Sequence, residues 1–505
     1  MPRNAVLLAV PAALVVTILV GFHDLSRRSL WDDEATTVWF ARMPAAEIWR
    51  TRDENLSPFY YLGVRAWRGA LGEDEVSLRG LSALGRVLGL FAIVALGAAT
   101  MGARGAAVLA FLYVVSPPAL LYGRELRPYP FVFAFACGGL ACLWHAGTTG
   151  RVRWAVAAGL ALGLALMTQY TTLLLLGGLF AAHLLPSLRP RRWALGVALG
   201  VVLLTVLPWA GVFAENLGNL LSAATGPEQV PIPFGPFGKA GYALFVLVLG
   251  ETVLPWRWAV SAPAALGSAV LCVLGWRALA DRRGLRVFLV VPLALSVAAL
   301  SFTMKAGPRY VFLLLPCLLA LFAAGALGGA PAWLRAAALA AVAVPSALSQ
   351  WNVFEGREYH NMAMVEPSRE VAQDLRKWFE RGDLLVYTAE SKPLLYYYLE
   401  GLAEPRFLDW DGEARLNRES GSETFEEFLA ASKGRTVWWI ERSAGYVPQA
   451  GRLAERAREL QEALKRRGSG SVEWPFGEDP DAEAKRRWIR KEFLEYRIVL
   501  RRFDP

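Results

Sequence analysis

The chain has 505 residues, of which 55% are hydrophobic and only 19% charged, and its formal net charge is +9. A soluble globular protein and a disordered chain are both excluded, because the apolar residues fall into repeated runs of about 17 to 25, the length that crosses a bilayer. Residues 351–505 hold 26 Lys or Arg against 29 Asp or Glu, whereas residues 1–350 hold 27 against 15. The positive excess therefore reports membrane topology and argues against a nucleic-acid partner.

The first apolar segment, residues 5–22, has the length of a signal peptide. Gly21-Phe22-His23-Asp24 is a poor cleavage site, however, and many equally apolar segments follow, so the segment reads as a retained span. The external loop 23–83 carries Trp31-Asp32-Asp33-Glu34. Carboxylates held together beside a bilayer repel one another, which points to a base or a cation site; the alternative is a solvated loop or a helix cap. Further spans are expected at about 84–100, 105–121, 129–146, 154–169, 171–186, 194–213, 260–280, 287–301, 310–327 and 334–350, about eleven in all.

Arg3, Arg104, Arg151, Arg153, Arg189, Arg191, Arg192, Arg282, Arg283, Arg286 and Arg335 all fall on one side of this arrangement. The positive-inside rule makes that side cytoplasmic and places the amino terminus inside and the carboxyl-terminal region outside. Residues 241–258, interrupted by Glu251 and Pro255, read as an external interfacial or re-entrant helix. Gly159-x-x-x-Gly163 fits close helix packing.

After Gln350 the composition shifts to a charged α/β pattern. Strand-like runs at 384–387 and 436–440 alternate with helical patterns at 368–381 and 451–467, enough for one small soluble domain over 351–505. Within it Trp438, Trp439 and Trp474 suit either a core or a sugar-stacking surface for an acceptor, and the basic run 485–491 suits either a solvated helix face or contact with anionic lipid. Cys137, Cys142, Cys272 and Cys317 all lie in expected spans, and His23, His145, His183 and His360 lack the spacing of a zinc site.

Two basic constellations stand at external ends of spans, where Lys and Arg are normally depleted: Tyr122-Gly123-Arg124-Glu125-Leu126-Arg127-Pro128-Tyr129 and Lys305-Ala306-Gly307-Pro308-Arg309-Tyr310. Their cations, on the side of the acidic loop, suit a phosphate whose lipid tail lies in the bilayer; the other reading is snorkelling to lipid headgroups.

These motifs, with Asn55-Leu56-Ser57-Pro58-Phe59-Tyr60-Tyr61 after the acidic loop, resemble the GT-C class of integral-membrane glycosyltransferases. The resemblance is nearest to the protein mannosyltransferase and lipid A aminoarabinose transferase branch and covers residues 1–350. It implies a polytopic α-helical fold followed by a soluble α/β domain. It also implies transfer of a sugar from a polyprenyl-phosphate donor to a glycan, lipid or protein acceptor, with inversion, at the external face of a bacterial plasma membrane. By position Asp33 matches the general base, Glu34 the acid that supports it, and Asp32 an additional acid beside the usual pair. Arg124, Arg127, Lys305 and Arg309 match the cations that hold the donor phosphate, with Tyr129 and Tyr310 shaping that pocket, and Asp53, Glu54 and Asn55 are candidates for acceptor or cation contacts. The family's loop often carries a histidine where Leu56 stands, so a divalent cation, Mg or Mn, would rest on Asp33 and Glu34; no other cofactor is implied. A transporter of lipid-linked sugars or a non-catalytic assembly protein are the competing readings, but the first should gather its charges near the bilayer midplane in repeated halves.

Overall fold

A computed structural model describes residues 3–50, 58–225, 235–302, 308–388, 393–408, 414–418, 420–442, 450–467, 471–476 and 498–505. Asp53, Glu54, Asn55, Lys305 and the run 485–491 lie outside the described residues. The chain divides into two compact units, one of residues 1–25 with 41–358, the other of residues 26–40 with 359–505.

The first unit is helical throughout, as apolar surroundings require, since only a helix pairs all the backbone amides and carbonyls of a single segment within itself. Among the described residues, seven helices are long and apolar enough to cross a bilayer, and the apolar helices Val152–Thr168, Thr172–Leu184 and Pro236–Leu249 are shorter. The expected first span, residues 5–22, lies in helix Arg3–Phe22. The spans expected at 84–100 and 105–121 are the two helices within Glu75–Val114, parted at Gly102, whose φ of +72° and ψ of −165° are non-helical, a conformation open to glycine and costly for other residues. The spans expected at 154–169 and 171–186 are helices Val152–Thr168 and Thr172–Leu184, parted where the chain leaves the helical conformation at Gln169, whose φ and ψ are −154° and 127°.

Helix Leu315–Leu327 is buried almost all round, while Arg192–Val206 leaves Leu203 and Leu204 about two-thirds exposed. Apolar side chains on that outer face suit hydrocarbon and would be unfavourable in water. The paired glycines act as expected: a Cβ on Gly159 would stand 2.5 Å from the Ala198 carbonyl oxygen, and one on Gly163 2.9 Å from Thr205. Helix 241–258 of the sequence reading is in fact Pro236–Leu249, followed by a turn that buries Glu251.

The second unit is built on a seven-stranded sheet: β1 Leu384–Tyr387, β2 Pro405–Leu408, β3 Arg415–Arg418, β4 Gly421–Thr424, β5 Val437–Arg442, β6 Ser471–Phe476 and β7 Ile498–Phe503, in the order β4-β3-β2-β1-β5-β7-β6. β1 runs parallel to β2 and to β5, with Leu385 opposite Trp438, and the outer pairs are antiparallel. Successive side chains alternate between faces. Leu385, Tyr387, Trp438 and Ile440 accordingly pack against helix Ser368–Trp378, and Leu384, Val386, Val437 and Trp439 against helices Phe425–Ala431 and Ala450–Arg467. Trp438 and Trp439 are fully buried, so both are core residues and neither is a sugar platform; Trp474, half-buried, stacks on Trp378 with ring centroids 4.8 Å apart.

Trp439→Ala is expected to destabilise the sheet by about 3–5 kcal/mol, the usual cost of emptying a large buried aromatic site. Hydrogen exchange at the β1 and β5 amides measures it, and exchange as slow as in the wild type would contradict the packing described.

Candidate active site

Asp32, Asp33 and Glu34 form the first turn of helix Asp32–Arg42. That turn presents amides without intrahelical partners and the positive end of the helix dipole, which favours each acid by about 0.3–1 kcal/mol and offsets their mutual repulsion. The three carboxylates are not equivalent. Glu34 is fully buried, and its Oε2 accepts the Trp31 amide at 3.2 Å, the backward half of a capping box. Asp32 and Asp33 keep partial exposure. Thr36 and Thr37 donate their hydroxyls to the Asp32 and Asp33 carbonyls at 2.7 and 2.8 Å, which stiffens the turn. Of the acidic residues, then, Asp32 and Asp33 are partly exposed, and Glu34 is turned back onto the turn it belongs to.

The cations lie in the first unit. Short helix Pro117–Tyr122 ends in Gly123, and helix Tyr129–Thr149 begins six residues later, leaving Arg124, Glu125 and Arg127 on non-helical backbone, all three buried. Arg124 donates to the carbonyls of Val20, His23 and Asp24, two of them at 3.1 and 2.9 Å, and its guanidinium lies over the Phe354 ring at 4.7 Å. It thus closes the carboxyl end of the first helix, Arg3–Phe22, whose last carbonyls have no amide partners. Arg127 lies over the Tyr129 ring at 5.9 Å, and Tyr129 packs beside Tyr122 at 5.2 Å between centroids. Arg309 and Tyr310, both half-buried, open the 3-10 turn Pro308–Leu314.

One neighbour of this cluster escaped the sequence reading. The Tyr122 hydroxyl donates to Glu251 Oε1 at 2.6 Å, both groups being buried. Arg309, Glu125 and Tyr242 lie within electrostatic range of that pair. Glu251 had been noted only as a break in an apolar run, although an ionisable residue in such a run is a site candidate by default. Arg79 and Arg86, both buried in helix Glu75–Val114, were likewise overlooked; Arg79 donates to the Leu25 carbonyl at 2.8 Å.

Asp32, Asp33 and Glu34 thus share one turn of the second unit, and Arg124, Arg127 and Tyr129 share one stretch of the first, where Tyr122 links that stretch to Glu251. Among the described residues, no group of three or more His, Cys, Asp or Glu side chains is arranged to hold a metal ion. With Glu34 turned onto its own backbone, a divalent ion would find Asp32 and Asp33 as protein ligands and take its remaining oxygens from elsewhere.

Residues 64–211 match the family model described as dolichyl-phosphate-mannose-protein mannosyltransferase. No curated protein sequence matches. Among solved structures the chain is similar to ArnT from Cupriavidus metallidurans bound to undecaprenyl phosphate, at 16% identity and TM-score 0.63, with 99% of this chain and 98% of that one covered. It is also similar to the Archaeoglobus fulgidus oligosaccharyltransferase AglB. In complex with an inhibitory peptide and a dolichol-phosphate that structure gives 12% identity, TM-score 0.54 and coverage of 93% and 73%; in complex with Zn and sulfate it gives 13%, 0.51, 86% and 68%. At these identities the likeness is one of fold. The family match covers residues 64–211, and over almost the whole chain the fold is that of ArnT and AglB, the GT-C membrane fold.

The two motif arginines should respond differently to substitution. Arg124→Lys keeps the charge but cannot span three carbonyls, and is expected to lower thermal stability by about 2 kcal/mol, the scale of hydrogen bonds from a charged donor. Arg127→Lys is expected to cost less stability than Arg124→Lys and to weaken donor binding instead. Melting curves and donor titrations side by side check the pair, and equal melting temperatures would contradict the assignment of Arg124.

Proposed function

We propose that the protein transfers one sugar from a polyprenyl-phosphate donor to an acceptor hydroxyl at the external face of a bacterial plasma membrane, with inversion at the anomeric carbon. The observation that supports this reading is the placement of buried Arg127 over the Tyr129 ring and of Arg309 within electrostatic range of Tyr122, beside two apolar helices. Cations in such surroundings attract an anion more strongly than they would in water. The lipid phosphate found in the ArnT structure, and the dolichol-phosphate found in AglB, are anions of the right kind.

Asp33 acts as base, taking the acceptor proton as the hydroxyl oxygen bonds to the anomeric carbon. The bond from that carbon to the phosphate oxygen breaks, and its electron pair stays with the phosphate. The donor phosphodiester carries one negative charge and the departing phosphomonoester two, so stabilising the leaving group is chiefly electrostatic. Arg127, Arg309 and Lys305 supply that stabilisation, Arg124 fixes the backbone from which Arg127 projects, and Tyr129 and Tyr310 shape the pocket. Glu34 holds the catalytic turn, Asp32 lies beside the base, and Asp53, Glu54 and Asn55 meet the acceptor or a divalent cation. A single displacement of this kind inverts the anomeric centre. The amino terminus is cytoplasmic, and the domain of residues 351–505 is external.

Asp33→Asn removes the base while keeping shape and hydrogen-bonding capacity. Sugar-dependent release of polyprenyl phosphate by purified protein in lipid is expected to fall by about 10²- to 10⁴-fold, with donor binding retained. Full turnover in the variant would remove Asp33 as base, and absence of turnover by the wild type with every donor tested would favour transport.

A further inference from the structure

Resting on the reading of Asp33 as base, we propose that the sheet unit sets the catalytic geometry: Ser29, Arg369, Glu370 and Tyr398 are positioning residues that hold the backbone immediately before Asp33. One helix of this unit lacks a cap of its own. Ser368–Trp378 is preceded by Pro367, which provides no side-chain bond to the first-turn amides. Such amides need an acceptor. Here it comes from 340 residues away: the Arg369 amide donates to Ser29 Oγ at 3.0 Å, and the Ser29 hydroxyl donates onward to Glu370 Oε2 at 3.1 Å.

The next residue is held as well. The Leu30 amide donates to the Tyr398 hydroxyl at 2.8 Å, and Leu30 is fully buried. Arg369 reaches back with its guanidinium to the Ser26 carbonyl at 2.6 Å and the Arg27 carbonyl at 3.3 Å, while Arg28 donates to the Tyr359 hydroxyl. Trp31 is closed by Glu34 at 3.2 Å. From Ser26 to Trp31 every residue is thus tied by a hydrogen bond, and Asp33 follows two residues later. All these partners belong to one compact unit. Their sequence separation explains why no local pattern reveals the arrangement. A base misplaced by about 1 Å can lose on the order of 10²-fold in rate, so the clamp matters even though none of its members meets substrate.

The experiment uses the full-length protein in lipid, with Ser29→Ala, Tyr398→Phe and the conservative Ser29→Thr, which keeps a hydroxyl that can cap. Thr424→Ala serves as control, because it breaks a capping box in the same unit away from the clamp. Two readouts are taken: hydrogen exchange at amides 32–40, and transfer per donor-binding-competent molecule. In Ser29→Ala and Tyr398→Phe, exchange should quicken by about tenfold and kcat should fall by about 10- to 100-fold, with the donor KM unchanged and Ser29→Thr near wild type. Thr424→Ala should change neither readout. Unchanged exchange, or faster exchange with unchanged kcat, overturns the proposal while Asp33→Asn remains inactive. Full activity of Asp33→Asn overturns the underlying reading instead, and this proposal with it.

Discussion

A helix that ends in apolar surroundings leaves its last carbonyls without amides, and the first unit depends on arginines to answer them. Arg124 does so for the first helix through the carbonyls of Val20, His23 and Asp24. In loops that the sequence reading expects to be cytoplasmic, Arg192 donates to the His183 and Leu184 carbonyls at 2.6 Å each, and Arg335 to the Ala326 carbonyl at 2.8 Å. Arg282 reaches the Thr100 carbonyl, in the turn before Gly102, at 2.6 Å. A cation suits the negative end of a helix dipole, and a guanidinium can serve several acceptors at once. Arginines that define topology therefore also terminate helices.

This separates the roles of the motif residues. Arg124 is committed to carbonyls, so its cost of burial is met by the protein itself. Arg127 lies over the Tyr129 ring, and Arg309 is within electrostatic range of Tyr122, the tyrosine bound to buried Glu251. Charge balance around that cluster changes when a phosphate arrives or departs, which is a property wanted of a donor site and of little use in a merely structural one.

The class of protein was readable in the sequence because hydrocarbon length imposes apolar runs and because the soluble unit's strands and helices carry their own periodicity. The four runs named beforehand correspond to β1, β5, helix Ser368–Trp378 and helix Ala450–Arg467. β2, β3, β4, β6 and β7 were not anticipated, since Pro405, Arg415, Arg418, Gly421, Pro475, Arg501 and Arg502 break up any apolar run in them. Hydropathy likewise marked the two spans on either side of Gly102, which the non-helical backbone there keeps apart. The acidic turn was legible as a cluster, and its division of labour was not: only three-dimensional structure distinguishes buried Glu34 from half-exposed Asp33. Glu251 and the Ser29 cap depend on partners 129 and 340 residues away, beyond the reach of any local motif.

The central claim is that the cations beside Tyr122 and Tyr129 exist for a lipid phosphate. The most direct measurement is a structure of the protein in lipid with a non-transferable polyprenyl-phosphate sugar analogue. The account predicts the phosphate oxygens within hydrogen-bonding distance of Arg127 and Arg309, with Arg124 still on the Val20, His23 and Asp24 carbonyls. A phosphate bound away from both arginines, or an Arg124 that leaves those carbonyls to hold it, would contradict the account.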